Sequence, residues 1–128
     1  MKSNFNLVFG WLWILLGFLW GMVMGMNFHI ETWLGGYAAY KRRMYRLGHV
    51  SFFGLGMVNI LFGMTAQGFT GANIYARFAA VVFLVGAVTM PVCCVLMAHF
   101  PKMRMLFALP VVSLIAGAVL TLLEVIKS

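Results

Sequence analysis

The stretch Leu7-Val8-Phe9-Gly10-Trp11-Leu12-Trp13-Ile14-Leu15-Leu16-Gly17-Phe18-Leu19-Trp20-Gly21-Met22-Val23-Met24-Gly25-Met26-Asn27-Phe28 carries no charged side chain from end to end. A helix needs about 20 mostly apolar residues to cross roughly 30 Å of hydrocarbon, so this segment reads as a membrane-spanning helix. Lys2 precedes it in the manner of a secretory signal. A signal's apolar core runs only about 7–15 residues, however, and no small-x-small cleavage pattern follows. The segment is expected to stay in the protein as its first helix.

Three further segments meet the same criterion, near His49–Ala66, Phe78–His99 and Met105–Val125. No segment alternates polar and apolar residues, and an open sheet facing lipid would leave backbone groups unpaired at several kcal/mol each. The fold class expected is therefore all-α: an integral membrane four-helix bundle forming a single transmembrane domain over 1–128, up-down-up-down. Composition agrees, since 64% of the 128 residues are hydrophobic and 9% are charged, against about 25% charge in an ordinary soluble domain. So few polar side chains cannot cover a globule of this size in water.

Nine Lys and Arg stand against two acids, Glu31 and Glu124. In a soluble chain that balance would point to nucleic acid. Here most of the cations flank apolar segments, as membrane proteins distribute them, so no nucleic-acid partner is expected. The link 29–48 is basic and aromatic: Gly35-Gly36 precedes Tyr37-Ala38-Ala39-Tyr40-Lys41-Arg42-Arg43-Met44-Tyr45-Arg46, a tract suited to the headgroup layer. The second link, Gln67–Asn73, is Gly-rich and uncharged. The third, Phe100-Pro101-Lys102-Met103-Arg104, is a tight turn in which Pro101 stops the helix before it. Links one and three share six cations, Lys41, Arg42, Arg43, Arg46, Lys102 and Arg104, whereas Lys2, Arg77 and Lys127 fall on the other side. The six-cation side is expected in the cytoplasm and both termini outside, with a bacterial inner membrane as the expected location.

Chemistry is most visible in the three histidines. His29 closes the first segment, His49 opens the second and His99 closes the third, so an up-down arrangement brings all three to one membrane face, together with Glu31. Imidazoles beside a carboxylate form a candidate metal or haem-ligand set: His29, His49, His99 and Glu31 for a metal, or His49 with His29 or His99 as axial ligands of haem b, with Arg42, Arg43 or Arg46 on the propionates. Gly17, Gly21, Gly25 and His29 recur every four residues, and His49, Gly56 and Gly63 every seven. Such glycine stripes suit either close helix packing or a flat macrocycle against bare backbone. Copper is an alternative because the chain has 11 methionines and Met22 and Met26 precede His29, although methionine also fills irregular apolar cores.

Other residues read as structural. Cys93 and Cys94 lie about 120° and 140° around their helix from His99 at roughly 100° per residue, and look like small apolar packers. Asn59, deep in the second segment, needs a hydrogen-bond partner and suits a helix-to-helix bond. Pro91 and Pro110 fit packing better than function, and Glu124 with Lys127 reads as a solvated pair at a helix end. No nucleophile-and-base pair or phosphate-binding loop is visible, so no hydrolase or transferase is expected.

Two membrane families of about this length are set aside on residues. Small multidrug transporters would need a glutamate in the first helix, which has none; Val58-Asn59-Ile60-Leu61-Phe62-Gly63 superficially resembles a fluoride-channel motif whose companions are missing. In layout, a histidine at each cytoplasmic helix end is similar to small bacterial membrane proteins linked to haem-copper oxidase assembly. Two functional expectations follow: a haem- or metal-binding protein in electron transfer or respiratory-complex assembly, and a non-catalytic accessory or scaffold subunit docking on a larger membrane complex or on another copy of itself. A small channel along the Asn59 helix is a weaker third.

Overall fold

The computed structural model describes residues 4–70 and 73–128; Lys2 and the Gly71-Ala72 part of the second link lie outside them. Four helices carry the chain: α1 (Asn4–Asn27), α2 (Tyr40–Thr65), α3 (Ile74–His99) and α4 (Ala108–Lys127). All four are long and apolar enough to cross a membrane, and no strand occurs among the described residues.

The helices start and stop for local reasons. α2 begins at Tyr40 rather than at His49, so the second half of the expected link is helix. Apolarity marks only where a helix can meet hydrocarbon, whereas straight-chain Lys and Arg are good helix formers and continue the ladder past that limit. His49 consequently sits more than two turns inside α2. α3 starts at Ile74, earlier than the apolar run, because the Asn73 side chain accepts the Tyr75 N–H at 2.9 Å as an N-cap. Pro101 ends α3 and opens a 3-10 stretch, Pro101–Phe107, that runs into α4. Pro110 then occupies the third position of α4, before the α-helical ladder of that helix begins, so it costs little.

Between α1 and α2 the chain reverses through a 3-10 turn at Trp33–Gly35. Leu34, Gly35 and Gly36 take φ of 53°, 86° and 99° in succession. Two glycines in a row supply the left-handed backbone that side chains resist.

Packing follows sequence order: α1 lies on α2, α2 on α3 and α3 on α4, without an extensive interface between α1 and α4 among the described residues. The four helices therefore form a row more than a ring. Across each interface residue numbers rise on one helix as they fall on the other, as in Leu7 beside Gly63 and Gly21 beside His49, Phe83 beside Phe62 and His99 beside Tyr45, or Gly117 beside Phe83 and Leu114 beside Gly86.

Glycine sets the closest approach. A Cβ at Gly10 would lie 2.5 Å from the Gly56 carbonyl oxygen, and one at Gly56 would lie 2.9 Å from the Gly10 carbonyl oxygen. Bare backbone meets bare backbone there, the small-residue packing that replaces the hydrophobic effect when lipid is the solvent. Phe62, Ala79, Ala80 and Phe83 form the buried apolar cluster between α2 and α3, which Leu114 and Leu120 of α4 cover. Outward, α1 shows Val8, Trp11, Leu15 and Phe18 and α4 shows Val112, Ile115, Val119 and Ile126. Apolar exposure on that scale suits hydrocarbon rather than water.

Candidate functional site

The groups that could carry chemistry fall toward the two ends of the helices. At one end lie the first link, the start of α2 and the end of α3. Arg42, on the first turn of α2, is 5% exposed. Its guanidinium lies 5.3 Å from the Phe28 ring centroid, 5.6 Å from that of Trp33 and 5.9 Å from that of Tyr37. It also donates at 3.5 Å to the carbonyls of Phe28 and Glu31. Arg42 thus clasps the chain just past the C-terminus of α1, where unpaired carbonyls favour a cation. Arg46 stacks on Tyr37 at 4.3 Å and donates to its carbonyl at 3.0 Å. Arg43 is exposed.

The three histidines are placed differently from one another. His29 is exposed in the turn after α1, and Glu31, exposed as well, meets Arg42 through its backbone carbonyl. His49 seats its ring against α1, where a Cβ at Gly21 would lie 2.6 Å from its Nε2, and edge-on to Phe53 at 5.2 Å. His99 shares a hydrogen bond of 2.9 Å between its Nε2 and the Tyr45 hydroxyl, with the two rings edge-to-face at 5.9 Å. Among the described residues no group of three or more His, Cys, Asp or Glu stands close enough together to hold a metal ion.

The glycine stripe that could have faced a macrocycle is covered: Phe52 and Phe53 lie over Gly17, His49 over Gly21, Ile14 over Gly56 and Leu7 over Gly63, while only Gly25 of that set faces open space. Arg42 is enclosed by its aromatic rings and Arg46 is engaged with Tyr37, so of the three arginines Arg43 alone is exposed for a propionate. Met22 and Met26 point outward, 57% and 68% exposed. Cys93 and Cys94 are free and buried, Cys93 Sγ against the Leu106 carbonyl and Cys94 against Gly48, as packing residues.

At the other end the polar groups bind helix to helix. Asn6 and Asn59 are both fully buried. The Asn6 amide donates to Asn59 Oδ1 at 2.9 Å and to the Ala80 carbonyl at 3.2 Å, while the Asn59 amide donates to its own helix at Leu55 O, 2.9 Å. Three helices meet at that node. The partner that Asn59 required is Asn6, which the apolarity criterion had left just outside the first helix. Glu124 is buried rather than solvated: the Asn73 amide donates to its carboxylate, and Lys127 stands at 3.7 Å with its chain in solvent.

An apolar groove runs along α1 over Phe52 of α2, toward the first link at one lobe and toward α3 at the other. It has two lobes of about 350 Å³ each, both lined by Leu16, Trp20 and Phe52. One lobe continues to Trp33 and Tyr45, the other to Trp13 and Pro91. No histidine lines either lobe.

Fold and site together define an all-helical protein with four helices long and apolar enough to span a membrane. Comparison with known proteins gives no narrower class: no family model, no curated protein and no solved structure matches the chain.

Proposed function

We propose that this chain is a non-catalytic accessory subunit of a bacterial inner membrane, crossing it up-down-up-down with both termini outside, and that it docks laterally on another helical membrane protein or on a second copy of itself. One observation carries the reading: the buried polar groups join helix to helix. Asn6, Asn59 and the Ala80 carbonyl tie α1 to α2 and α3, Glu124 ties α4 to the cap of α3, and Arg42 ties the first link to α2. Buried polar groups in a membrane enzyme or carrier serve substrate or ions, whereas these serve the scaffold. The row also leaves α1 and α4 with long free apolar flanks, the faces through which membrane helices associate.

Orientation rests on the cations: six surround the first and third links, and cytoplasmic loops carry the Lys and Arg excess. Single cysteines at Met103 and Thr70, in a chain whose Cys93 and Cys94 are alanine, test it. An impermeant thiol reagent added outside intact cells should label position 70 and spare position 103; the reverse pattern would invert the assignment. Docking is tested by gentle extraction into lipid discs followed by native mass measurement. An assembly heavier than one chain, held through α1 or α4 by crosslinking, is the expected result. A lone chain that carries a tightly bound chromophore with a Soret band would overturn the accessory reading in favour of a haem protein.

A further inference from the structure

The groove along α1 has a composition that the accessory reading does not use. Its walls are rings as much as chains: Trp13, Trp20, Trp33, Tyr45 and Phe52 all line it, and no Lys, Arg, Asp or Glu lines either lobe. Lobes of about 350 Å³ each fall in the roughly 300–1,000 Å³ range of small-molecule sites, which pair an apolar wall with a few placed polar groups. One lobe includes Tyr45, which carries a hydroxyl. Tyr45 contributes its ring to the wall, and its hydroxyl meets His99 Nε2 at 2.9 Å on the exposed side. Trp20 lies tilted against Tyr45 at 5.7 Å and Trp33 stands edge-on to it at 6.5 Å, so three rings meet at this lobe.

We propose that this groove binds a neutral, lipid-soluble ring compound of the quinone class, with the ring among Trp20, Trp33 and Tyr45, one carbonyl oxygen at the Tyr45–His99 pair, and the hydrocarbon tail along Leu16, Phe52 and Pro91. Charge decides against a phospholipid, because a phosphate in the groove would find no cation in its lining, and Arg42 beside it is closed in by three rings. Ring faces decide against a plain acyl chain, which gains nothing from stacking that an aliphatic wall would not give. The Tyr–His pair supplies the hydrogen bond. When His99 carries its proton on Nε2 it donates to the Tyr45 oxygen, and the hydroxyl hydrogen is free for a ligand carbonyl. In the other tautomer the hydroxyl donates to His99 and the carbonyl loses its donor. The groove is built from residues of one chain.

The test uses the full chain in detergent micelles and a para-benzoquinone bearing a decyl tail, which quenches tryptophan emission on contact. Quenching should saturate at one quinone per chain. Val23 and Val92 line the two lobes while being 56% and 51% exposed, so Val23→Phe or Val92→Phe fills a lobe without entering the packed interior. Each should weaken binding about tenfold, the size of effect expected when a well-fitted apolar contact is lost. Tyr45→Phe keeps the ring and removes the donor, and should also weaken quinone binding about tenfold. Quenching by a phosphatidylcholine with brominated acyl chains should not change with Tyr45→Phe. Quenching that rises linearly with quinone and is the same in wild type and both valine variants would show mere partition into the micelle and overturn the proposal. Displacement of the quinone by ordinary phosphatidylcholine at equal concentration would overturn it too, leaving a lipid groove. Helical content by circular dichroism accompanies each variant, and the two valine sites keep the test decisive should one variant fail to fold.

Discussion

Asn6 on α1 and Asn59 on α2 are hydrogen-bonded side chain to side chain at 2.9 Å, each without exposed surface, and Asn6 reaches on to the Ala80 carbonyl of α3. In an apolar surround each amide is costly to leave bare, so the pair specifies which faces of three helices meet. Asn59→Ala removes the acceptor and leaves Asn6 with one partner. It should destabilise the protein by on the order of 1 kcal/mol, with coupling between Asn6→Ala and Asn59→Ala of roughly 0.6 kcal/mol and at most about 1.7, the range of interhelical bonds in membranes. Reversible unfolding in mixed micelles, run as a double-mutant cycle, checks it; additive single-site effects would mean that the two amides do not cooperate.

The α1–α2 contact should be the most sensitive to added volume. At Gly10 a Cβ would meet the Gly56 carbonyl oxygen at 2.5 Å and Ile60 Cγ1 at 2.6 Å, the first of which is backbone and cannot turn aside. Gly10→Ala should cost about 1–3 kcal/mol. Gly54 lies on the same helix pair with nothing within 4 Å of its would-be Cβ. Gly54→Ala should therefore be neutral or mildly stabilising, as expected for a glycine removed from a helix interior. Thermal unfolding of the two variants side by side separates packing from propensity.

Arg42 and Arg43 are neighbours in sequence with opposite expected importance. Arg42 is caged by Phe28, Trp33 and Tyr37 and bonds two carbonyls past α1, whereas Arg43 is exposed. Arg42→Ala should cost about 2 kcal/mol through lost desolvated cation–π contacts and charged hydrogen bonds, and should open residues 28–39 to proteolysis. Arg42→Lys should recover only part of this, since an ammonium lacks the planar fork that stacks and bonds at once. Arg43→Ala should leave cleavage of the link unchanged. Equal protease sensitivity in the two alanine variants would show that the cage does not hold the link.

Much of the fold was legible in the residues. Four uncharged or nearly uncharged stretches of membrane-crossing length show in the sequence itself, and the same four helices form. The ends were less legible, because apolarity ignores helix propensity and capping: the basic turns around Arg42 and Arg46 extend α2 to Tyr40, and Asn73 extends α3. The glycine stripes were visible, and packing or macrocycle were equal readings of them; only the facing residues, Gly56 before Gly10 and His49 before Gly21, decide. The histidines have different neighbours. Helix ends fix depth but not azimuth, and His49 turns to α1 while His99 turns to Tyr45 of α2. Asn6, Tyr45 and Asn73 gave no separate signal, since a lone amide or phenol near a helix end is ordinarily solvated.

Glu124 supplies a last contrast between a buried acid and its exposed partner. Its carboxylate accepts from the Asn73 amide, and Asn73 Oδ1 in turn accepts the Tyr75 N–H at 2.9 Å, so the acid holds the residue that caps α3. Lys127, whose side chain is 61% exposed, stands 3.7 Å from the other carboxylate oxygen. Solvent screens that pair, and Lys127→Ala should cost no more than about 0.5 kcal/mol. Glu124→Ala strips the cap of its support and should cost about 1–2 kcal/mol. Glu124→Gln keeps an acceptor oxygen for Asn73 and should fall between the two, with the remaining loss from removing negative charge near the N-terminus of α3. Because Glu124 acts through Asn73, the effects of Glu124→Ala and Asn73→Ala should not add when combined. Chemical unfolding of the two single variants and the double variant measures this; full additivity would mean that the acid stabilises α4 alone and not the start of α3.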